Sequence, residues 1–96
     1  MIRLLLVRPE AERDLEAARD WYQHKRVGLG DEFLDEVAAA MRELESDPEC
    51  TRLYFLNFRR VLVRRFPYKI FYQVLGGNIV VFRVLHAKQE HRRSLE

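Results

Sequence analysis

Cysteine is nearly absent from this chain: Cys50 stands alone among 96 residues. A lone thiol cannot close an intrachain disulfide, so the chain is no disulfide scaffold and suits a reducing compartment. Long apolar runs are missing as well. Nothing approaches the roughly 20 apolar residues of a membrane span, and the opening MIRLLLV is too short for a secretory leader and has no cleavage site. A cytoplasmic setting away from membranes is expected. There are no repeats, linkers or low-complexity segments. His24, His86, His91 and Cys50 lack metal-ligand spacing, and no helix follows Gly76-Gly77 to make it a phosphate loop. Neither a metal nor a cofactor is expected.

Residues 1–96 have the length of one domain with a single core. Their net charge of +2 hides an asymmetry: residues 10–50 carry 13 acids and 5 bases, residues 51–96 carry 10 bases and 2 acids. A dipolar chain offers different surfaces to different partners; the alternative is that the acids only solvate helices and the bases a sheet.

Ile2 to Val7 is β-rich enough for a first strand buried on both faces or nearly so. Pro9 suits the first turn of a helix, and Glu10, Glu12 and Asp14 favour its positive end. Ala11, Leu15, Ala18 and Tyr22, with Trp21 beside them, then trace an apolar stripe to about Lys25. Gly28 and Gly30 interrupt it. A second helix from about Leu29 to Ser46 turns Phe33, Leu34, Val37, Met41 and Leu44 inward, until Asp47-Pro48 stops it. Three β-type runs follow, Val61 to Phe66, Tyr68 to Leu75 and Ile79 to His86, divided by Pro67 and a Gly76-Gly77-Asn78 turn. The polar tail can form a last helical turn. The class is α+β in the order β-α-α-β-β-β, a helical hairpin packed on one face of a small, mainly antiparallel sheet.

Alternation assigns the sheet faces. Tyr68, Ile70, Tyr72 and Val74, with Val80, Phe82 and Val84, are expected against the helices. Lys69, Phe71, Gln73 and Arg83 then share a second face, with Ile79, Val81 and Leu85, that no other element of the chain is expected to cover. Arg83 interrupts an apolar strand, a costly place for a charge unless it is solvated or paired. It is either a member of an intrachain ion pair or part of an anion-binding or partner-binding surface. His86 falls on the helix-facing parity and reads as a structural histidine, while His24 suits a helix C-terminus.

Asp14-Leu15 with Trp21-Tyr22, Gly28-Leu29-Gly30 with Phe33-Leu34, Arg65 to Ile70, Tyr72, and Arg83-Val84-Leu85-His86 occur in order along the chain. Together they resemble the ParE/RelE superfamily of toxins from type II toxin–antitoxin pairs, nearer to the ParE, plasmid-stabilisation branch. The resemblance implies the same β-α-α-β-β-β fold and a cognate antitoxin as partner. It further implies a toxin that poisons DNA gyrase without hydrolytic chemistry, with Arg83, Lys69, Phe71, Arg64 and Arg65 as target-binding residues. The RelE branch implies instead a ribosome-dependent mRNA endonuclease. There Arg83, Lys69 and Arg65 would stabilise phosphorane charge, and His86 or His91 would serve as acid or base, because no tyrosine follows Arg83. A third reading is a nucleic-acid-binding module built on the basic sheet.

Overall fold

The computed structural model describes residues 4–89 and 91–95. They form β1 (Leu5–Val7), α1 (Pro9–Lys25), α2 (Leu29–Ser46), β2 (Leu53–Phe55), β3 (Phe58–Leu62), β4 (Tyr68–Leu75), β5 (Asn78–His86) and α3 (His91–Leu95). The five strands make one sheet in the order β1-β5-β4-β3-β2. Only β1 runs parallel to its neighbour, with Leu5 opposite Ile79 and Val7 opposite Val81; the other pairings are antiparallel.

Both long helices span the residues that periodicity assigns to them. Pro9 opens α1 and Glu10 and Glu12 occupy its first turn. The corner into α2 works because Gly28 takes φ 91°, a left-handed conformation that a side chain disfavours. The Gln23 side chain accepts from the amides of Gly28 and Gly30 at 3.2 Å each, which satisfies two otherwise orphaned donors at the start of α2. Gly30 also sets how closely the helices cross: a Cβ there would lie 2.6 Å from the Arg19 carbonyl oxygen.

The hairpin covers one sheet face through Tyr22, Phe33, Val37 and Leu44 of the helices and Ile70, Tyr72, Ile79, Val81 and Val84 of the strands. Tyr22, Phe33 and Phe66 meet with ring centroids 4.8–5.3 Å apart, a spacing at which aromatic pairs add to the burial gain. Tyr72 is fully buried, yet its hydroxyl donates to the Pro48 carbonyl at 2.9 Å and lies 2.8 Å from the Thr51 hydroxyl. Burial raises its pKa.

Four expectations need correction. The face assignment of β5 holds from Arg83 onward but not for Ile79 to Phe82. A bulge places Phe71 opposite Arg83 but Tyr72 opposite Val81, so Phe82 is the extra residue and parity inverts on its N-terminal side. Ile79 and Val81 therefore face the helices, whereas Val80 and Phe82 face outward, with Phe82 edge-on to Phe58 at 5.0 Å. The outer face is also partly covered. α3 packs on β5, His91 lies 4.8 Å from the Phe71 ring, and Phe71 and Leu85 are fully buried. Of the run assigned to Val61–Phe66 only Val61 and Leu62 are strand, as the end of β3, since Arg65 turns with φ 72°, and β2 is an additional strand. Finally, β1 is an edge strand: its own Leu6 is 50% exposed and the preceding Leu4 53%. The Ile2 end of that assignment lies outside the described residues.

Candidate functional site

Arg83 sits where the bulge turns β5 toward α1. Its Nε donates to Asp14 Oδ2 at 2.7 Å and its terminal nitrogen to Oδ1 at 2.9 Å, a bidentate fork. Asp14 Oδ2 also accepts from the Val84 amide at 2.9 Å, so one carboxylate closes both the arginine and the backbone opened by the bulge. The other terminal nitrogen reaches the Ser94 carbonyl of α3 at 3.4 Å. Side-chain exposure is 27% for Arg83 and 15% for Asp14. The Asp14 hydrogen bonds hold the Arg83 pKa above its ordinary value, against a smaller opposing effect of burial. Of the two roles open to Arg83, the geometry fits the ion pair, and a phosphate there would have to displace Asp14.

The other sequence-selected residues are spread over the surface. Arg65 donates to Glu32 at 2.9 Å and lies 3.7 Å from Glu36. Glu32 also accepts from Arg26 at 2.9 Å, and these two arginines, Arg65 first, lower its pKa. Arg64 is exposed, 3.5 Å from Glu43. Lys69 lies on the outer face opposite Leu62 and Leu85 and has no ion pair with a described residue. Phe71, expected at a target surface, is buried. His86 Nδ1 accepts from the Lys88 amide at 3.1 Å, which leaves that nitrogen without a proton, and the His86 carbonyl lies 2.9 Å from His91 Nε2. Arg65 and Arg83 thus attach to different helices, and His86 belongs to the turn into α3. Among the described residues no group of three or more His, Cys, Asp or Glu side chains could hold a metal ion.

Two surfaces remain, one that the sequence did not single out and one that it did. A groove of about 580 Å³ runs between α1 and the β4–β5 end, walled by Ala17, Trp21, Tyr22, Pro67, Tyr68 and Val84, with Asp14 and His86 at its edges. Trp21 is 55% exposed, with Lys25 Nζ 4.7 Å from its ring centroid. Its place beside the buried stripe, rather than on it, was the available signal. The second surface is the outer sheet face, where the Arg60 guanidinium lies 3.8 Å from the Tyr54 ring centroid and Arg92 lies 5.8 Å from Tyr54 and 5.3 Å from Phe55.

The sequence pattern of one protein family, described as the ParE toxin of the type II toxin-antitoxin system parDE, matches residues 5–91. Among solved structures, the chain is similar to one from the chromosomal ParDE toxin–antitoxin system of P. aeruginosa. The TM-score is 0.78 at 18% identity, covering 88% of this chain and 96% of that one. It is also similar to an arginine-substituted mutant of the E. coli toxin RelE in the free state. Here the TM-score is 0.72, again at 18% identity, covering 98% of this chain and 93% of that one. No curated protein matches at a significant level.

Proposed function

Because the chain belongs to the ParE toxin family of type II toxin–antitoxin systems, we propose that it is a cytoplasmic toxin that inhibits DNA gyrase and is neutralised by a cognate antitoxin. The observation that carries the choice of target is the commitment of Arg83 to Asp14. A ribonuclease of the RelE kind needs cations free to meet the charge that develops on the scissile phosphate, and a proton donor or acceptor beside them. Here the Arg83 guanidinium is bonded to a carboxylate, and His86 Nδ1 takes a backbone amide. The antitoxin reading draws support from the apolar groove beside Trp21, a concave surface that a second chain can dry. The runner-up, a ribosome-dependent mRNA endonuclease, draws support from the shared fold with RelE and from Lys69, which no described carboxylate neutralises.

The test is induction of the chain in a bacterial host while DNA synthesis and mRNA integrity are followed in parallel. An early stop in DNA synthesis with intact mRNA is expected, with growth restored when a cognate antitoxin is co-expressed. Ribosome-dependent mRNA cleavage that precedes any effect on replication would overturn the gyrase reading.

A further inference from the structure

Among the described residues, two other than glycine take left-handed backbone angles, Arg65 at φ 72° and Leu56 at φ 54°. Side chains disfavour that conformation, so each instance needs a reason. Arg65 has one: its guanidinium reaches Glu32 at 2.9 Å and Glu36 at 3.7 Å, which ties the β3–β4 turn to α2. Leu56 has no such reason. Its side chain is 70% exposed and lies outside the core.

Leu56 and Asn57 form the two-residue turn between β2 and β3, with Phe55 paired to Phe58. A turn this short calls for positive φ, which glycine, asparagine or aspartate ordinarily supplies. The β4–β5 turn follows that rule, with Gly76 at φ 57° and Gly77 at φ 82°. At β2–β3 the chain instead carries a large apolar side chain into water, on strained backbone, beside the edge strand of the sheet. Strain that the fold does not use points to recognition. The surrounding charge has one sign: residues 51–60 hold Arg52, Arg59 and Arg60 and no acid. None of the three has an ion pair with a described residue, and Arg52 is exposed.

We infer that the β2–β3 tip is the grip by which this toxin holds its protein target, Leu56 entering an apolar pocket there and Arg52 meeting carboxylates at the pocket rim. The inference rests on the proposed function, under which that target is gyrase. The antitoxin is assigned elsewhere, because the tip and the groove lie toward opposite ends of β4. The turn lies beyond Arg59, which faces Tyr72, whereas Tyr68 walls the groove. From Tyr68 to Tyr72 the strand alone spans about 14 Å, so a segment that fills the groove leaves the tip open.

Leu56→Gly removes the side chain and relaxes the backbone, which sets stability against function. Its Tm should rise by roughly 2–8 °C. Growth arrest per folded molecule, and affinity for purified gyrase in biolayer interferometry, should each fall by about tenfold or more. Leu56→Met keeps an apolar side chain of similar volume and should stay within about threefold of the parent in both. Arg52→Gln should weaken gyrase binding and flatten its dependence on salt. Copurification of the cognate antitoxin should be unchanged in all three. A lower Tm for Leu56→Gly would show the leucine serving the fold and overturn the inference. So would full toxicity in that variant, or loss of antitoxin copurification, which would give the tip to the antitoxin. A parent that neither arrests growth nor binds gyrase would overturn it as well. Toxicity lost on Leu56→Gly in a chain that never bound gyrase would uphold the grip and overturn the gyrase reading alone.

Discussion

Arg83→Ala separates scaffold from chemistry. The substitution removes two hydrogen bonds to the Asp14 carboxylate, at 2.7 and 2.9 Å, and a longer one to the Ser94 carbonyl, and leaves Asp14 with the Val84 amide as its remaining partner. A hydrogen bond to a charged group contributes about 1.5–3 kcal/mol net, and truncating one member of a fully buried pair costs about 3–5 kcal/mol. At 27% and 15% exposure this pair is neither open nor dry, so water offsets part of the loss. The expected cost is about 2 kcal/mol. In a domain of this size that lowers Tm by roughly 10 °C. Asp14→Asn should cost less, because the amide oxygen still accepts one bond from Arg83. The double variant should fall short of the summed single losses by about 1 kcal/mol, the signature of direct contact. Circular dichroism melts and urea titrations of the four proteins give these numbers. Growth arrest, normalised to the amount of folded protein, should match the parent for Arg83→Ala. An unchanged Tm with abolished toxicity would refute the reasoning and return Arg83 to the reaction itself.

Three further outcomes follow from the packing. Gly30→Ala should lower Tm by roughly 5–15 °C, since overpacking costs about 1–3 kcal/mol and the added methyl would meet the rigid Arg19 carbonyl at 2.6 Å. Tyr72→Phe should cost about 1–2 kcal/mol in urea unfolding by orphaning the Pro48 carbonyl. It should also remove part of the alkaline instability: the Tyr72 pKa is raised in the folded state, so its contribution is complete below pH 10 and fades as pH rises through the folded value. Glu32 works at the opposite end. Its folded pKa lies below 4.5, so its contribution is complete above that value and is lost as pH falls through the folded one; Glu32→Gln should flatten stability against pH in that acidic range, read by melts at each pH.

The helical half of the fold was legible because its signals are local and agree with one another: Pro9 at the start of α1, a stripe through Ala11, Ala18 and Tyr22, and Gly28 at the corner. Reading the sheet was harder. In IVVFRVLH both parities are apolar up to Arg83, so alternation could not reveal the extra residue at Phe82, and the faces of Ile79 to Phe82 came out inverted. β2 is three residues long and carries no periodicity. Phe71 looked uncovered because HRRSL reads as a solvated tail, whereas its histidine packs on the ring. For Arg83 the sequence left two roles open, and the deciding carboxylate lies 69 residues earlier, where no spacing argument reaches. Trp21 and Tyr54 show the same limit. Exposure beside a groove, or beneath a guanidinium, is a property of the assembled surface.

The parallel pairing of β1 with β5 also sets a schedule. Leu4 bonds Asn78 at a sequence separation of 74, while the helical hairpin and the β4–β5 turn close locally. Loops that long close late, after local elements have formed. On a ribosome extending the chain at about 5–20 residues per second, β1 waits several seconds for its neighbour to be made. Until then Leu5 and Val7 have no ladder and Asp14 has no arginine. Any transcript cut or stop codon upstream of β5 therefore yields a peptide that cannot finish its sheet, and the harmful form exists only at the end of synthesis.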